Sequence, residues 1–488
     1  VKNYDSDNMR ETVGFINNIV WSNALIILCL LSGLYFSIRT RFLQIRLLKT
    51  MTRLLFKGKS SKLGVSSFQA FVVAISGRIG TGNIAGVATA IAMGGPGAIF
   101  WMWVIAFVGA SSAFVEATLG QIYKEIRGDQ YRGGPAYYIE KGLGMRWYGV
   151  LFAITTLISM SFLLPGVQSN SIASGMQNAF SIPPLYTGIG VAVLLGFIIF
   201  GGIKRIGKTA EIIVPIMAIG YILVAVFILI INIQEVPAMI MLIIKSAFGL
   251  EASFGGIVGS AIAWGVKRGI YSNEAGQGTA PHAAAAAEVD HPAQQGLVQA
   301  LSVYIDTMFV CTATALMILF SGMYNTEDGK DGFIVENLPG VEAGTEFTQY
   351  AVNNYVPGMG SGFVAIALLF FAFTTIMAYY YIAETNLNYM YPNLINPIVL
   401  FALRAVLLSI VIFGATRSAG LAWDIGDIGV GLMAWLNIIA ILLLHKPALK
   451  SLKDFEEQLK AKKHPRFDPK KLNIKNTEAW ESQDSETD

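Results

Sequence analysis

Apolar runs long enough to cross a bilayer recur from residue 17 to residue 444, and that recurrence decides what the chain can fold into. Lipid offers no partner to an unpaired backbone amide, so a span is a helix of roughly 20 apolar residues. Eleven candidate spans are read, near 17–39, 66–93, 96–123, 148–180, 185–203, 210–233, 253–280, 296–322, 360–384, 395–414 and 419–444. Only 14% of the residues are charged and 54% are hydrophobic. An average soluble domain is about 25% charged, so a soluble enzyme is excluded. The opening VKNYDSDNMRETVGF is polar and acidic, without the basic head and cleavage site of a signal peptide, so the first apolar run is expected to be a retained span. Cys29 and Cys311 fall inside apolar runs and read as small buried hydrophobes.

Charge reports topology. Between the first two spans, Arg39, Arg41, Arg46, Lys49, Arg53, Lys57, Lys59 and Lys62 occur with no acid, which places that loop in the cytoplasm and suits an amphipathic surface helix. The segments Lys124–Arg146 and Lys204–Lys208 then fall on the same side. The acidic stretch with Glu327, Asp328, Asp331, Glu336, Glu342 and Glu346 falls outside. The N-terminus is expected outside and the tail from Lys446 inside, where KDFEEQLKAKKH reads as a solvated helix before a disordered acidic end. A net charge of +3 with basic residues beside spans argues against a nucleic-acid surface.

Two segments interrupt the apolar pattern with glycines, charges and amides: SGRIGTGNIAG at 76–86 and AWGVKRGIYSNEAGQGTAP at 263–281. Such sequence is a poor continuous helix in lipid. Each opens a set of five spans, so the chain divides into 1–65, a first repeat 66–233, a second repeat 253–444 and a tail 445–488. Five spans invert topology, and broken helices at matching positions point to a midplane site. Gly77, Gly80, Gly82 and Gly86 permit close approach of a ligand, and the freed amides at Thr81 and Gly82 suit a carboxylate. The second break carries Gly265, Lys267, Arg268, Gly269, Asn273, Glu274, Gly276 and Gln277. Charged residues at membrane depth are expensive and mark function.

The run SSFQAFVVAISGRIGTGNIAGVATAIAMGGPGAIFWMWV, with GIYSNEAGQGTAPHAAAAAE downstream, resembles the alanine/glycine:cation symporter family over nearly the whole chain. The resemblance implies a leucine-transporter-like fold preceded by one extra helix, and import of a small neutral amino acid by alternating access. It implies a sodium site at Ser76, Ile79, Phe371, Thr374 and Thr375, all hard oxygen ligands. Back-bonding to their own helix is the plain alternative for the two threonines. It implies a substrate site at Gly80, Thr81, Gly82, Asn83, Gln168, Trp264, Ile270, Thr375 and Tyr379, with Asn83 open to a second ion position. Where the family often shows Gly-Trp, this chain has Ala378 and Tyr379, so glutamine stays open beside alanine and glycine.

The coupling ion is weighed the same way. Proton-coupled relatives of the fold carry a lysine on the fifth helix of the first repeat; EIIVPIMAIGYILVAVFILIIN has none, so sodium is preferred. Glu116 and Asp306 are either proton sites or partners of Arg78, Arg268 or another buried cation, and pairing is preferred. His282 and His291 lack a third ligand and read as loop residues. No nucleophile with its base points to a membrane enzyme, no filter loop to a channel, and no soluble domain to a sensor. No organic cofactor is called for, and oligomeric state is not legible.

Overall fold

A computed structural model of the chain describes residues 4–56, 61, 63–128, 130–330, 332–391 and 397–484. Lys57, Lys59, Lys62, Asp331 and the last four residues therefore lie outside the described residues. Helices dominate, joined by two short antiparallel hairpins, Glu125–Arg127 with Gln130–Arg132 and Asn325–Glu327 with Phe333–Glu336.

Among the described residues eight helices are long and apolar enough to span: Arg10–Arg39, Gly97–Ile122, Arg146–Phe180, Arg205–Ile231, Pro292–Ser321, Gly360–Met390, Pro397–Ala415 and Ala419–Lys460. Two bent pairs raise the number to ten, and the expected span near 185–203 is a helix of only 16 residues, Pro184–Ile199. Length and composition thus stop short of eleven. The Arg205–Ile231 helix turns Ile212, Ile216, Ile219 and Leu223 outward, an apolar surface that only lipid would cover.

The first broken helix runs Ser67–Arg78, turns by 51°, and resumes at Gly82. Ser66 starts it with a capping box: its hydroxyl accepts from Gln69 N, and the Gln69 side chain accepts from Ser66 N. The second pair bends by 43° between Val236–Ala247 and Ala252–Asn273. The expected connector at 234–252 is therefore largely helical. The break expected within 263–281 falls at its end, where Glu274 (φ 55°), Gly276 and Gly278 adopt left-handed backbone before Ala280–Ala285.

After its broken helix each half repeats one order of elements. In the first half Gly97–Ile122 is followed by a hairpin and a short helix, Pro135–Leu143, on the face carrying the basic loops. In the second half Pro292–Ser321 is followed by a hairpin and Thr345–Tyr355, on the acidic face. The Gly97–Ile122 helix is the hub of the bundle, packed on Val258–Asn273, Ala280–Ala285 and Pro292–Val303. Wide π turns interrupt three helices, at Gly82–Gly86, Ser159–Leu163 and Tyr304–Cys311. At the second of these, Pro165 has no amide to return to Ser161 O.

The tail departs from expectation. Residues 453–460 continue the Ala419–Lys460 helix, and the chain then folds back over the basic face. Phe467 and Trp480 are buried, with ring centroids 5.0 Å apart. Trp480 Nε1 donates to Gln121 O at 2.9 Å, and Phe467 N to Asp290 O at 2.9 Å. The Lys124 ammonium sits 4.6 Å from the Trp480 ring and 3.9 Å from the Tyr131 ring. Burial pushes that ammonium down to about 7, against the opposing pull of Glu288. Enough apolar surface is available here to order a segment whose composition alone reads as disordered.

Candidate functional site

The two breaks meet at the bundle centre. A β-carbon on Gly82 would lie 3.1 Å from Ser272 Cα, so at this approach even a methyl group would push the two breaks apart by a few tenths of an ångström. Ser76, Thr81, Asn83, Gln168, Ser272, Thr375 and Tyr379 are all buried here, an expensive set of polar groups to withdraw from water.

Hydrogen bonds account for most of that set. Thr375 Oγ1 donates to Ser76 O at 2.8 Å, with Phe371 O at 2.9 Å and Ile79 O at 3.4 Å close by. One hydroxyl thus stands among three carbonyls from two helices. Thr374 Oγ1 stays on its own helix, 3.0 Å from Phe370 O and from Phe371 O. Gly80 N donates to Asn83 Oδ1 at 2.9 Å and Thr81 N to Gln168 Oε1 at 3.1 Å, while Gln168 Nε2 donates to Tyr379 OH at 3.3 Å. Thr81 Oγ1 has no hydrogen-bond partner among the described residues.

The buried charges sort themselves differently from the expected pairing of Glu116 and Asp306 with arginines. Arg268 reaches Asp427 twice, at 2.8 and 3.1 Å, and Lys267 reaches the same carboxylate at 2.8 Å. Glu116 instead accepts from Gly276 N (3.3 Å), Gly278 N (3.1 Å) and Asn437 Nδ2 (2.7 Å), holding the turn of the second break. Asp306 accepts from Asn83 Nδ2 (2.6 Å), Ser272 Oγ (2.9 Å) and Thr307 Oγ1 (2.7 Å). Backbone and side-chain dipoles satisfy both carboxylates, and among the described residues neither touches a cation at ion-pair distance. Arg78 donates to Gln299 O and Ser302 Oγ.

Asp427 was absent from the expected site. Its signal was an acid inside the apolar run AWDIGDIGVGLMAW, costly at membrane depth without a partner. Trp264 meets Lys267 and Arg268, whose cationic groups lie 4.8 and 5.0 Å from its ring, and Ile270 is fully buried. His282 and His291 are both buried. His282 bonds Thr279 O and Asn386, and His291 accepts from Ala293 N and faces Asp454. Among the described residues no three His, Cys, Asp or Glu side chains converge as metal ligands.

Access to this centre is one-sided. A cavity of about 570 Å³ opens on the basic face, lined by residues including Val65, Gln69, Val73, Tyr131, Glu211 and Ala283. Val73, Ala283 and Tyr381 also line a narrow neck of about 10 Å³, room for about one water, whose other walls include Gly77 and Glu274. On the acidic face a recess of about 40 Å³ ends at Trp423. Behind it the Trp423 and Tyr271 rings meet tilted at 50°, with centroids 4.8 Å apart, and the Arg268 guanidinium lies 4.2 Å over Trp423.

A helical membrane bundle with two broken helices, a buried polar centre and a vestibule on one face is a carrier, not an enzyme. The model of the sodium:alanine symporter family matches residues 6–469, and the chain belongs to that family. It is 62% identical over 475 residues to a Bacillus subtilis protein provisionally named the sodium/proton-dependent alanine carrier YrbD, covering 97% of this chain and 98% of that one. It is 44% identical over 483 residues to the provisionally named sodium/glutamine symporter GlnT of the same organism, covering 98% of each. Among solved structures, a mutant manganese transporter of Eremococcus coleocola shares the fold at a TM-score of 0.53 and 13% identity, over 80% of this chain and 90% of that chain. The family is the one that the two glycine-rich motifs resemble.

Proposed function

We propose that this chain is a sodium-coupled importer of a small neutral amino acid, alanine or glycine, with glutamine also within its range. The carrying observation is the meeting of the two breaks, with a hydroxyl among three carbonyls on one side and an unpartnered Thr81 hydroxyl on the other. A sodium ion takes the place now held by the Thr375 proton, bound by the carbonyls of Ser76, Ile79 and Phe371 and by the hydroxyls of Thr375 and Thr374. Thr375 carries more of this than Thr374, whose hydroxyl faces its own helix turn. The substrate carboxylate binds Thr81 N and Oγ1 and Gly82 N, displacing Gln168 Oε1. The ammonium lies toward the carbonyls of the second break. Gly80, Asn83, Gln168, Trp264, Ile270 and Tyr379 complete the site, and the Tyr379 wall sets its size.

Residues 66–233 and 253–444 act as the two inverted repeats. By the positive-inside rule the basic face is cytoplasmic, the first helix begins outside and the tail packs inside, at the cell membrane. The vestibule then opens to the cytoplasm, and the structure is an inward-facing state closed at Trp423 and Arg268–Asp427. Sodium and amino acid bind to the same unwound backbone, so each raises the affinity for the other.

Uptake of labelled alanine, glycine and glutamine into proteoliposomes under an inward sodium gradient tests this. Thr375→Ala should raise the sodium concentration for half-maximal uptake more than Thr374→Ala does. Absence of sodium-dependent uptake of any of the three sinks the reading, and unchanged sodium dependence in Thr375→Ala removes that hydroxyl from the ion site. The names of the relatives also support a second reading in which a proton accompanies or replaces sodium.

A further inference from the structure

The neck between the vestibule and the breaks has one carboxylate in its wall among the described residues, that of Glu274. The transport scheme above does not use it. Its backbone is left-handed, an uncommon state for a residue with a long side chain, held at the point where the second broken helix ends. The side chain reaches across to the first break: its Oε2 is 3.3 Å from where a β-carbon on Gly77 would stand. One side-chain donor serves it, Thr279 Oγ1 at 2.7 Å. A hydroxyl donates to a carboxylate and accepts from a carboxylic acid with equal ease, so this geometry satisfies Glu274 with or without a proton.

Glu116 and Asp306 are held differently. Three N–H donors fix Glu116, and one, Asn83 Nδ2, fixes Asp306 beside two hydroxyls; an N–H cannot turn to accept from a protonated acid, and neither carboxylate lines the vestibule or its neck. The titratable groups around Glu274 come from every neighbouring element. Arg78 lies on the first broken helix, Glu116 on Gly97–Ile122, Asp306 on the Tyr304–Cys311 turn and Tyr271 on its own helix. His282 follows on Ala280–Ala285, and Tyr379 and Tyr381 stand on Gly360–Met390. Arg78 is the one cation of this set, and three carboxylates share its field. A proton held among them offsets the excess of negative charge, and of the three only Glu274 lines the narrow pocket that shares Val73, Ala283 and Tyr381 with the vestibule.

We propose that Glu274 carries a coupling proton, exchanging it with the vestibule on the basic face. The inference deepens the cation-coupled reading above and rests on it. Glu274 bridges the two breaks, so its charge changes the attraction between the Arg78 end of one and the turn of the other. Protonation and reorientation are thereby linked.

The test uses full-length protein in proteoliposomes, with a pH-sensitive dye and labelled alanine followed together. Wild type should move protons with alanine and show uptake that depends on pH across the neutral range. Glu274→Gln should lose alanine-coupled proton movement and the pH dependence while still exchanging external for internal alanine. Glu116→Gln should keep the coupled proton movement. Undiminished proton movement in Glu274→Gln, or its loss in Glu116→Gln alone, overturns the assignment. So does a wild type that accumulates alanine on a sodium gradient without moving protons, a result that leaves the carrier reading intact. Wild type that takes up no amino acid with either ion sinks the carrier reading itself. Should Glu274→Gln fail to fold, Glu274→Asp decides: a shifted pH midpoint supports the proposal and an unshifted one refutes it.

Discussion

Replacing Asp427 by asparagine keeps the shape of the side chain and removes the carboxylate that, among the described residues, forms the ion pairs of both Arg268 and Lys267. The carboxylate is wholly buried, both Arg268 contacts are within 3.1 Å, and Lys267 stands at 2.8 Å. Removing one partner of a buried ion pair costs about 3–5 kcal/mol, because the other charge stays buried without compensation. Here two cations are left. The asparagine oxygen still accepts one hydrogen bond, so the lower half of that range is expected. At about 2 °C per kcal/mol for a large chain, the melting temperature in detergent should fall by roughly 6–8 °C. Lys267→Met alone should change it little, since the Arg268–Asp427 pair remains neutral and intact. Added to Asp427→Asn, it should recover part of the loss, a non-additivity expected of groups in direct contact. Thermal unfolding of the four proteins, followed by size-exclusion fluorescence, reads the whole cycle. A melting point for Asp427→Asn within about 2 °C of wild type, or strict additivity in the double variant, would refute the ionic account of this contact.

Two further predictions concern space and the tail. Gly80→Ala would place a β-carbon 2.5 Å from Thr375 Oγ1 and 3.0 Å from Gln168 Oε1, and the Thr375 hydroxyl, set among three carbonyls, has nowhere to withdraw. Alanine uptake should drop at least about tenfold at normal expression, the equivalent of a modest overpacking cost; uptake near wild type would show that the break has room to spare. Trp480→Ala removes a buried ring worth about 3–5 kcal/mol, enough to undock a segment held by a few contacts. Trypsin should then cut at Lys462, Lys463, Arg466, Lys470 or Lys471 much faster than in wild type, and an unchanged digestion would show that the tail is held elsewhere.

The two breaks were legible in the sequence because glycines and charges in an apolar run contradict a continuous helix wherever they occur. Their meeting was not: the approach of Gly82 to Ser272 depends on how two halves pack, and no local pattern encodes it. The pairing of buried charges was misread for a related reason. Arg268 had several acids to choose among along the chain, and only the packing of Ala419–Lys460 on the bundle selects Asp427. Glu116 looked like a charge in search of a cation, because backbone donors at Gly276 and Gly278 cannot be seen in a list of side chains. The Val236–Ala247 helix fell between two expected spans and was not read, and the tail was judged on its charge when Phe467 and Trp480 decide its fate.

The place of Trp480 also bears on how the molecule is made. The aromatic cage around Lys124 draws one wall from the neighbouring hairpin and the other from a residue that leaves the ribosome about 350 positions later, roughly 20–70 s at ordinary rates of synthesis. Throughout that interval a lysine at the end of the hub helix stands against an unfinished pocket. A nascent chain stopped before Trp480 would leave this seam open on the basic face, with the Lys124 ammonium covered on the Tyr131 side alone.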